Sequence, residues 1–379
     1  MTTSDRRICS RCVSDSSIPG IQFDKNGICN FCKVHDELEK RYPLNAVGQK
    51  NLDQLVEKIK HAGRNKKHDC VVGVSGGADS TYLLHMANKL GLRPLAFHFD
   101  NGWDTEIALN NARNVTAKLG VDLRMVSVDW EEYRDLQLSF LKASVSDAEI
   151  PTDLGIIASS YRVAAEENIR YVLNGHSFRV EGIDPLRWTY MDGRYINSVH
   201  KIFGGKRLRN FPNLTISNLF YYALIKRIRF VPLLAYINYN KEDSKGVLKE
   251  KLGWVDYGSH HFESVYTRFI IYHRWKKFGI DGRVIEYSAH IRSGQMTRDE
   301  ALQKLVGNPI VEDEQIVKYC LDKLGVNQDE FQQILSLPPK TFLDYSTYYP
   351  VIRAFKIPIR VACNLRILPE IFYEKYFNC

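Results

Sequence analysis

The stretch CVVGVSGGADSTYLLH, residues 70–85, decides how this chain folds. Residues 70–75 form a short apolar run ending at Gly76-Gly77, which is typical of a buried strand. Residues 79–90 then have the composition of a helix. Two glycines let the backbone turn tightly and approach an anion closely, and the helix start offers it free N–H groups. The stretch lacks the lysine of a Walker A loop and the GxGxxG of a dinucleotide fold.

Strands and helices alternate on both sides of this stretch. We predict strands at 70–75, 93–100, 123–129 and 169–177, and helices at 52–64, 79–90, 106–119 and 153–167. Such alternation predicts an α/β fold with a doubly wound parallel sheet whose ligands bind at the carboxyl ends of the strands. After Gly182 the alternation stops, and a mainly helical region is expected. The predicted domains are 1–45, 46–185, 186–340 and a tail, 341–379.

Four of the eight cysteines lie in the first 32 residues, as CSRC and CNFC. The spacing C-x2-C-x16-C-x2-C places two thiolates on each of two turns, a tetrahedral arrangement that suits zinc. Four thiolates leave no open position for substrate, so we predict a structural Zn²⁺ site at Cys9, Cys12, Cys29 and Cys32. Two redox CxxC pairs or an iron–sulfur cluster are the alternatives.

Charge and composition bound the function further. The net charge is +8, yet residues 193–241 contain nine bases and no acid, which indicates an anionic partner. Apolar residues make up 44% and charged residues 25%, which excludes disorder, collagen and coiled coil as the main architecture. No apolar run reaches the ~18–20 residues that span a bilayer, and the N-terminus has no signal-like apolar region. We therefore expect a cytoplasmic protein.

The string Ser75-Gly76-Gly77-Ala78-Asp79-Ser80 resembles SGGxDS, the signature of the PP-loop ATP pyrophosphatase superfamily. The resemblance implies that ATP is split between its α- and β-phosphates, with Mg²⁺ between Asp79 and the phosphates. The implied site has catalytic Ser75, Asp79 and His176, and ATP contacts from Val74, Ser75, Gly76, Gly77, Asp79, Ser80, Asp100, Asn101 and Gly175. A role for Asp79 as a mere helix cap is the alternative.

From Cys9 to Leu337 the chain resembles the N-acetyl sugar amidotransferase family of bacterial surface-polysaccharide biosynthesis. The resemblance rests on the cysteine module, the loop and segments such as SGQMTRDEAL, residues 293–302. It implies that ATP adenylylates an acetamido oxygen of a nucleotide-linked sugar, that ammonia attacks, and that AMP leaves an acetamidino group. The candidate substrate contacts are Arg179, Glu181, His260, His261, Arg268 and Arg283. An acid–base role or a metal pair at His260, His261 and Glu263, and ordinary surface ion pairs for Arg268 and Arg283, are the alternatives.

No glutaminase is evident in this chain, because Cys70, Cys320 and Cys363 have no triad context and position 2 is Thr. The resemblance implies a separate class I glutaminase of the histidine-pathway type, with a cyclase-like barrel protein as a further component. The basic stretch 193–241 is expected to meet the sugar nucleotide; a solvated face or a peripheral contact with anionic lipid are alternatives.

Two other functions stay open. A tRNA thiolation enzyme also combines cysteine modules with a PP-loop, but its later cysteines would be paired, and here they are isolated. A non-catalytic scaffold would not need the complete loop. We therefore expect an enzyme without a nucleic-acid partner.

Overall fold

The central element is a five-stranded parallel sheet. The computed structural model describes residues 6–258, 263–365, 367–368 and 370–378. The strands pair in the order β3-β2-β1-β4-β5. They are β1 (Cys70–Gly73), β2 (Pro94–Asp100), β3 (Leu123–Ser127), β4 (Tyr171–Asn174) and β5 (Arg229–Pro232). The predicted parallel sheet is confirmed, with each of its first four strands at the expected position.

The fifth strand corrects the sequence prediction. We expected the alternation to stop after Gly182 and the ATP-binding domain to end at 185, yet β5 pairs in parallel with β4, as at Val172–Phe230. The strand is four residues long and lies at the end of a basic run, so it carries no readable period. The nucleotide domain therefore takes in part of the predicted basic region.

Helices cover both faces of the sheet. The first group is α1 (Asn30–Arg41), α2 (Ala46–Ala62), α3 (Ala78–Lys89), α4 (Glu106–Leu119), α5 (Trp130–Lys142), α6 (Ile150–Glu166), α7 (Leu186–Thr189), α8 (Gly193–Phe203) and α9 (Ile216–Phe220), which continues as a π-helical turn, Tyr221–Ile225. Sequence reasoning missed α5, whose N-terminus is capped by Asp129.

A second group of helices follows β5 and makes the later part of the chain mainly helical, as predicted. These are α10 (Lys241–Leu252), α11 (Val265–Phe278), α12 (Arg283–Arg292), α13 (Arg298–Gly307), α14 (Glu314–Leu324), α15 (Gln328–Ser336), α16 (Tyr349–Ala354), α17 (Lys356–Asn364) and α18 (Glu370–Phe377). Short 3₁₀ turns lie at Leu233–Tyr236 and Phe342–Asp344.

Alternate strand residues serve two cores. One face packs on α2, α3 and α4 through Cys70, Val72 and Ala96. The other face presents Val71, Leu95 and Phe97 to α5 and α6, and helices α11, α14 and α15 extend this second core. Residues Phe342, Tyr345 and Tyr376 are buried in it as well, so the predicted tail 341–379 belongs to the fold. Among the described residues, no helix has the length and apolar character needed to cross a membrane.

Candidate functional site

The loop after β1 is held open by its own side chains. The Ser80 hydroxyl accepts a hydrogen bond from the Ser75 N–H (3.1 Å) and lies 3.0 Å from the Ser75 hydroxyl. The Ser75 hydroxyl also accepts from the Gly77 N–H at 3.2 Å. Gly77 is the N-cap of α3, and the first-turn amides of a helix have no intrahelical partner. The loop therefore presents a cradle of backbone donors where a phosphate group fits.

Gly76 is the most constrained residue of this loop. Its φ is +85°, and a Cβ there would lie 2.0 Å from the carbonyl oxygen of Ala108. Its own carbonyl accepts from the Trp254 indole N–H at 2.8 Å. We expect Gly76→Ala to lose ATP binding by more than about tenfold, since the loop must shift to relieve the clash. Isothermal titration with ATP measures this, and Gly246→Ala, where the added Cβ meets nothing, is the control.

Asp79 does not cap the helix, because Gly77 holds that position. Its carboxylate instead accepts a hydrogen bond from the Tyr239 hydroxyl and forms an ion pair with Lys241 at 3.0 Å. Lys241 is buried at the end of the basic stretch, and sequence reasoning did not single out either partner. Their position directly after β5 and its turn could have been noticed only once β5 was recognised.

A segment of the later chain closes over the loop. Asn111 holds the backbone of Val255 through two hydrogen bonds, of 2.8 and 2.9 Å. Tyr257 and Glu263 follow, and a Cβ on Gly77 would be 3.1 Å from an oxygen of each. Burial raises the pKa of Glu263, and the charge of Asp79 adds to this while Lys241 opposes it. The predicted substrate contacts His260 and His261 lie outside the described residues.

The turn after β2 is fixed by its own residues. The Asp100 carboxylate accepts from the Gly102 N–H at 3.1 Å and the Ser127 hydroxyl at 3.3 Å, and the Asn101 side chain accepts from the Trp103 N–H at 3.1 Å. Asn101 is buried. These predicted adenosine contacts therefore shape the turn with their side chains; an ATP contact by either stays a prediction.

The loop after β4 meets the PP-loop at the switch point of the sheet, where strand order reverses between β1 and β4. A Cβ on Gly175 would be 3.8 Å from the Asp79 backbone. His176 follows, with its Nδ1 3.7 Å from Glu181 and no hydrogen-bond partner. Burial lowers the pKa of His176 to about 4, so its ring is neutral at pH 7. The structure thus brings Ser75, Asp79, Gly175, His176 and Glu181 together.

Beyond His176 lies a group of carboxyls, the acidic cluster, defined as Asp147, Glu149, Asp153 and Asp184. Burial raises the pKa of Asp153 to about 7, with repulsion from Asp147 next in importance. Arg274 and Lys375 are the nearby cations, and Nε and Nη2 of Arg274 are shielded from solvent without a hydrogen-bond partner. The charges of Asp184 and Asp79 both oppose the lowering of the His176 pKa, so the cluster and the site act on the same ring. Nothing in the sequence patterns pointed to these four residues.

Glu149 makes a pH-dependent contribution to stability. Burial, followed by the charges of Asp147 and Asp153, raises its pKa to about 8, so the folded state binds the proton more tightly than the unfolded chain. The resulting stabilisation is full below about pH 4 and is lost as the pH rises through 8. We expect Glu149→Gln to gain about 2 kcal/mol over wild type between pH 5.5 and 9. Urea unfolding at both values measures this; parallel profiles for wild type and Glu149→Gln would contradict it, and exposed Glu250→Gln is the control.

The four predicted zinc ligands come together. Their Sγ atoms lie within 4.8 Å of one another, and adjacent pairs are 3.6–3.9 Å apart. Tetrahedral zinc with Zn–S bonds of about 2.3 Å needs sulfur separations of about 3.8 Å. The N–H groups of Arg11 and Cys29 donate to the Cys9 sulfur at 3.4 and 3.3 Å. The residues therefore fit a closed, structural zinc site. Among the described residues, no other group of three or more such ligands lies this close together.

The later helices close this metal site. Arg292, at the end of α12, donates to the sulfurs of Cys32 and Cys12, both at 3.3 Å. Arg298 donates to the carbonyl of Cys12 at 3.2 Å, and the hydroxyls of Ser14 and Ser288 are 3.0 Å apart. A zinc ion with four thiolates carries a net negative charge, which Arg292 offsets. The predicted module 1–45 therefore shares its core with α12 rather than standing alone.

The remaining predicted substrate contacts lie in ion pairs. Arg179 is buried, pairs with Glu39 at 2.6 Å and donates to the carbonyls of Ala235 and Tyr42, so we correct its role to a structural one. Arg268 pairs with Asp313 at 3.3 Å and Arg283 with Asp281 at 2.6 Å. A substrate contact by either stays a prediction.

Two family models match separate parts of the chain. Residues 69–156 match the model of the queuosine biosynthesis protein QueC. Residues 263–357 match a model described as the C-terminal domain of proteins like the LPS biosynthesis protein WbpG. The chain joins a QueC-like PP-loop domain to a WbpG-like C-terminal domain. The second match passes Leu337, where the sequence resemblance was expected to end. It starts at Glu263, the residue that lies against Gly77 of the loop.

Two curated relatives match the chain, one over most of its length and one over a shorter part. An uncharacterized protein of Methanocaldococcus jannaschii is 24% identical over 78% of this chain and 92% of its own length. The 7-cyano-7-deazaguanine synthase of Myxococcus xanthus is 37% identical over 84 residues. This match covers 22% of the present chain and 34% of that synthase.

Solved structures with detectable likeness include three proteins at low similarity. They are NMN synthetase from Francisella tularensis (14% identity, TM-score 0.28, 60% of this chain and 95% of that one), NH3-dependent NAD synthetase from Campylobacter jejuni (13%, 0.28, 77% and 98%) and a protein described as a predicted subunit of tRNA methyltransferase from Methanocaldococcus jannaschii (15%, 0.29, 57% and 91%).

Proposed function

We propose that this chain is an ATP-dependent synthetase that converts an acetamido group of a nucleotide-linked sugar into an acetamidino group. The observation that carries the proposal is the contact between the two matched parts: Glu263 opens the WbpG-like domain and lies against Gly77 of the PP-loop. A domain found in LPS biosynthesis proteins thus contributes directly to the site where ATP would be cleaved. The surface-glycan role follows from that domain alone.

The chemistry has two steps. The amide oxygen attacks the α-phosphorus of ATP and pyrophosphate leaves, which turns a poor leaving group into AMP. Ammonia then attacks the imidate carbon, AMP departs with the former amide oxygen, and a proton is released. The loop amides would hold the pyrophosphate moiety, and Mg²⁺ would offset the charge between it and Asp79. Positioning and charge stabilisation are sufficient here, so no side-chain nucleophile is required.

The acidic cluster supports the proposal. The substrate amide is neutral, but an amidine is a strong base and is protonated at neutral pH, so positive charge develops during the second step. Carboxyls placed where charge develops favour that step. Because burial raises the pKa values of Glu149 and Asp153, these carboxyls would lose their protons as a cation comes to lie beside them, which would help to hold ammonium near the site. A solely nucleotide-binding scaffold would have no use for this arrangement.

The nitrogen source is proposed to be a separate class I glutaminase of the histidine-pathway type, with a cyclase-like barrel protein as a further component. We expect the purified chain to use ammonium and to use glutamine poorly. Equal turnover with glutamine and ammonium would contradict the proposed partner without touching the reaction itself.

The test is incubation of the chain with ATP, Mg²⁺, ammonium and a UDP-linked diacetamido uronic acid. AMP release together with an oxygen-for-NH exchange in the mass of the sugar supports the proposal. AMP release only when tRNA and a sulfur donor are supplied would support the thiolation enzyme instead.

A further inference from the structure

We propose that two exposed helical segments of this chain bind an anionic membrane. The first, the edge segment, comprises residues 216–229; the second, the tail helices, comprises α16 and α17. This inference is independent of the proposed reaction, because neither segment contributes a residue to the ATP site described above.

The edge segment is apolar and partly exposed as far as Ile225, whereas Ile228 near its end is buried. It contains α9 and the π-helical turn Tyr221–Ile225, and none of the residues in either is buried. The side chains of Phe220, Leu224 and Ile225 are 58%, 58% and 71% exposed. Exposed apolar area costs about 25 cal/mol per Å² relative to burial. A partner surface that covers these apolar side chains would therefore be energetically favourable.

Positive charge follows the exposed apolar residues directly. Lys226, Arg227 and Arg229 end the segment, and no acid occurs anywhere from 193 to 241. Arg227 has a φ of +55°, a left-handed conformation that usually falls to glycine at a helix end. Large apolar groups beside bases, with no acid among them, complement the acyl boundary and the anionic headgroups of a bilayer.

The tail helices repeat this pattern independently. Of the residues in α16 and α17, only Cys363 is buried, while Phe355 is 54% and Ile357 78% exposed. The sequence has no acid between Asp344 and Glu370. It does contain Arg353, Lys356 and Arg360 in this interval, of which Arg360 pairs with Glu370.

Both segments start from the same two turns of α8. The Asn213 amide, just before the edge segment, donates to the Gly193 carbonyl and to Asn197, each at 3.0 Å. The Ser346 N–H, just before the tail helices, donates to the Ser198 hydroxyl at 3.0 Å. Residues 193, 197 and 198 occupy adjacent faces of one short stretch of helix. The residues that precede the two segments are therefore anchored to neighbouring residues of α8.

The edge segment lies away from the ATP site. Arg229 begins β5, so the segment is at the amino end of a parallel sheet whose carboxyl end carries the PP-loop. Lys226, Arg227 and Arg229 therefore lie at the end of the sheet opposite the PP-loop, and a contact between them and the sugar nucleotide stays a prediction. A membrane bound by the edge segment at the amino end of the sheet would leave the carboxyl end, which carries the PP-loop, open to substrates.

Vesicle flotation with the full chain tests the proposal. We expect binding to phosphatidylglycerol vesicles, much weaker binding to phosphatidylcholine vesicles, and a loss at high salt. The double variant Phe220→Glu/Ile225→Glu is expected to bind at least about tenfold more weakly, since it removes two apolar side chains from the interface. The matched control is Val306→Glu/Val311→Glu, two positions 83% and 71% exposed outside both segments.

Several outcomes would overturn the proposal. They are an absence of vesicle binding, equal binding to both lipids, or equal losses in the two double variants. If Phe220→Glu/Ile225→Glu instead turned a dimer into a monomer in size exclusion, without vesicle binding by wild type, the surface would be a self-association interface. AMP formation with a soluble sugar nucleotide is expected to be unchanged in both variants, which separates this test from that of the reaction.

Discussion

Asp79→Asn is expected to reduce AMP formation by about 10²–10³-fold, the largest catalytic effect of any single substitution in this chain. The carboxylate sits on the first turn of α3, paired with Lys241 and hydrogen-bonded to Tyr239. An amide would keep the shape and lose the charge that, in the proposed reaction, would hold Mg²⁺ against the phosphates. The rate of AMP release at saturating ATP and Mg²⁺ measures the effect.

Stability must be followed in the same variant, because Asp79→Asn also leaves Lys241 as a buried cation with a weaker partner. We expect the thermal unfolding of Asp79→Asn to remain cooperative. Its stability should change far less than its rate of AMP formation. Asp243→Asn is the matched control, since Asp243 lies on the first turn of α10 and is exposed. Normal AMP release by Asp79→Asn would remove Asp79 from the catalytic machinery.

Cys12→Ser is expected to lower the free energy of unfolding by more than about 4 kcal/mol and to abolish stoichiometric zinc. Loss of one ligand opens the tetrahedral site and leaves the half-buried Arg292 without its full set of negative partners. Because Arg292 ends α12, the damage should reach the WbpG-like domain. Metal analysis and protease resistance of residues 283–298 measure the two effects.

The control for this variant is Cys320→Ser, a buried cysteine outside the metal cluster. It should keep its zinc and lose only the modest stability expected of a polar substitution in a core. If Cys12→Ser retained stoichiometric zinc, the four-cysteine site would be wrong. If zinc were lost while α12 kept its protection, the coupling through Arg292 would be wrong instead.

The sequence predicted local features well. Gly76-Gly77, the cysteine spacing and the strands β1–β4 are set by short-range patterns, and the structure has them where they were expected. The features that the sequence could not predict depend on contacts between residues far apart in the chain. Lys241 reaches Asp79 only because β5 joins the sheet, and Glu263 reaches Gly77 only because the later chain folds back over the loop. Arg179 was predicted to contact substrate because it lies in a motif-like segment. In the structure its side chain pairs with Glu39 instead.

The backbone joins the two matched domains more closely than their separate names suggest. The Thr105 N–H donates to the Glu263 carbonyl at 2.9 Å and the Val265 N–H to the Trp103 carbonyl at 3.0 Å, directly after β2. The ring of Trp103 also stacks on that of Tyr266. A chimera that exchanges residues 263–357 with those of a relative must therefore bring a matching 103–105 turn. The later domain and the turn after β2 are thus one structural unit made from two distant parts of the chain.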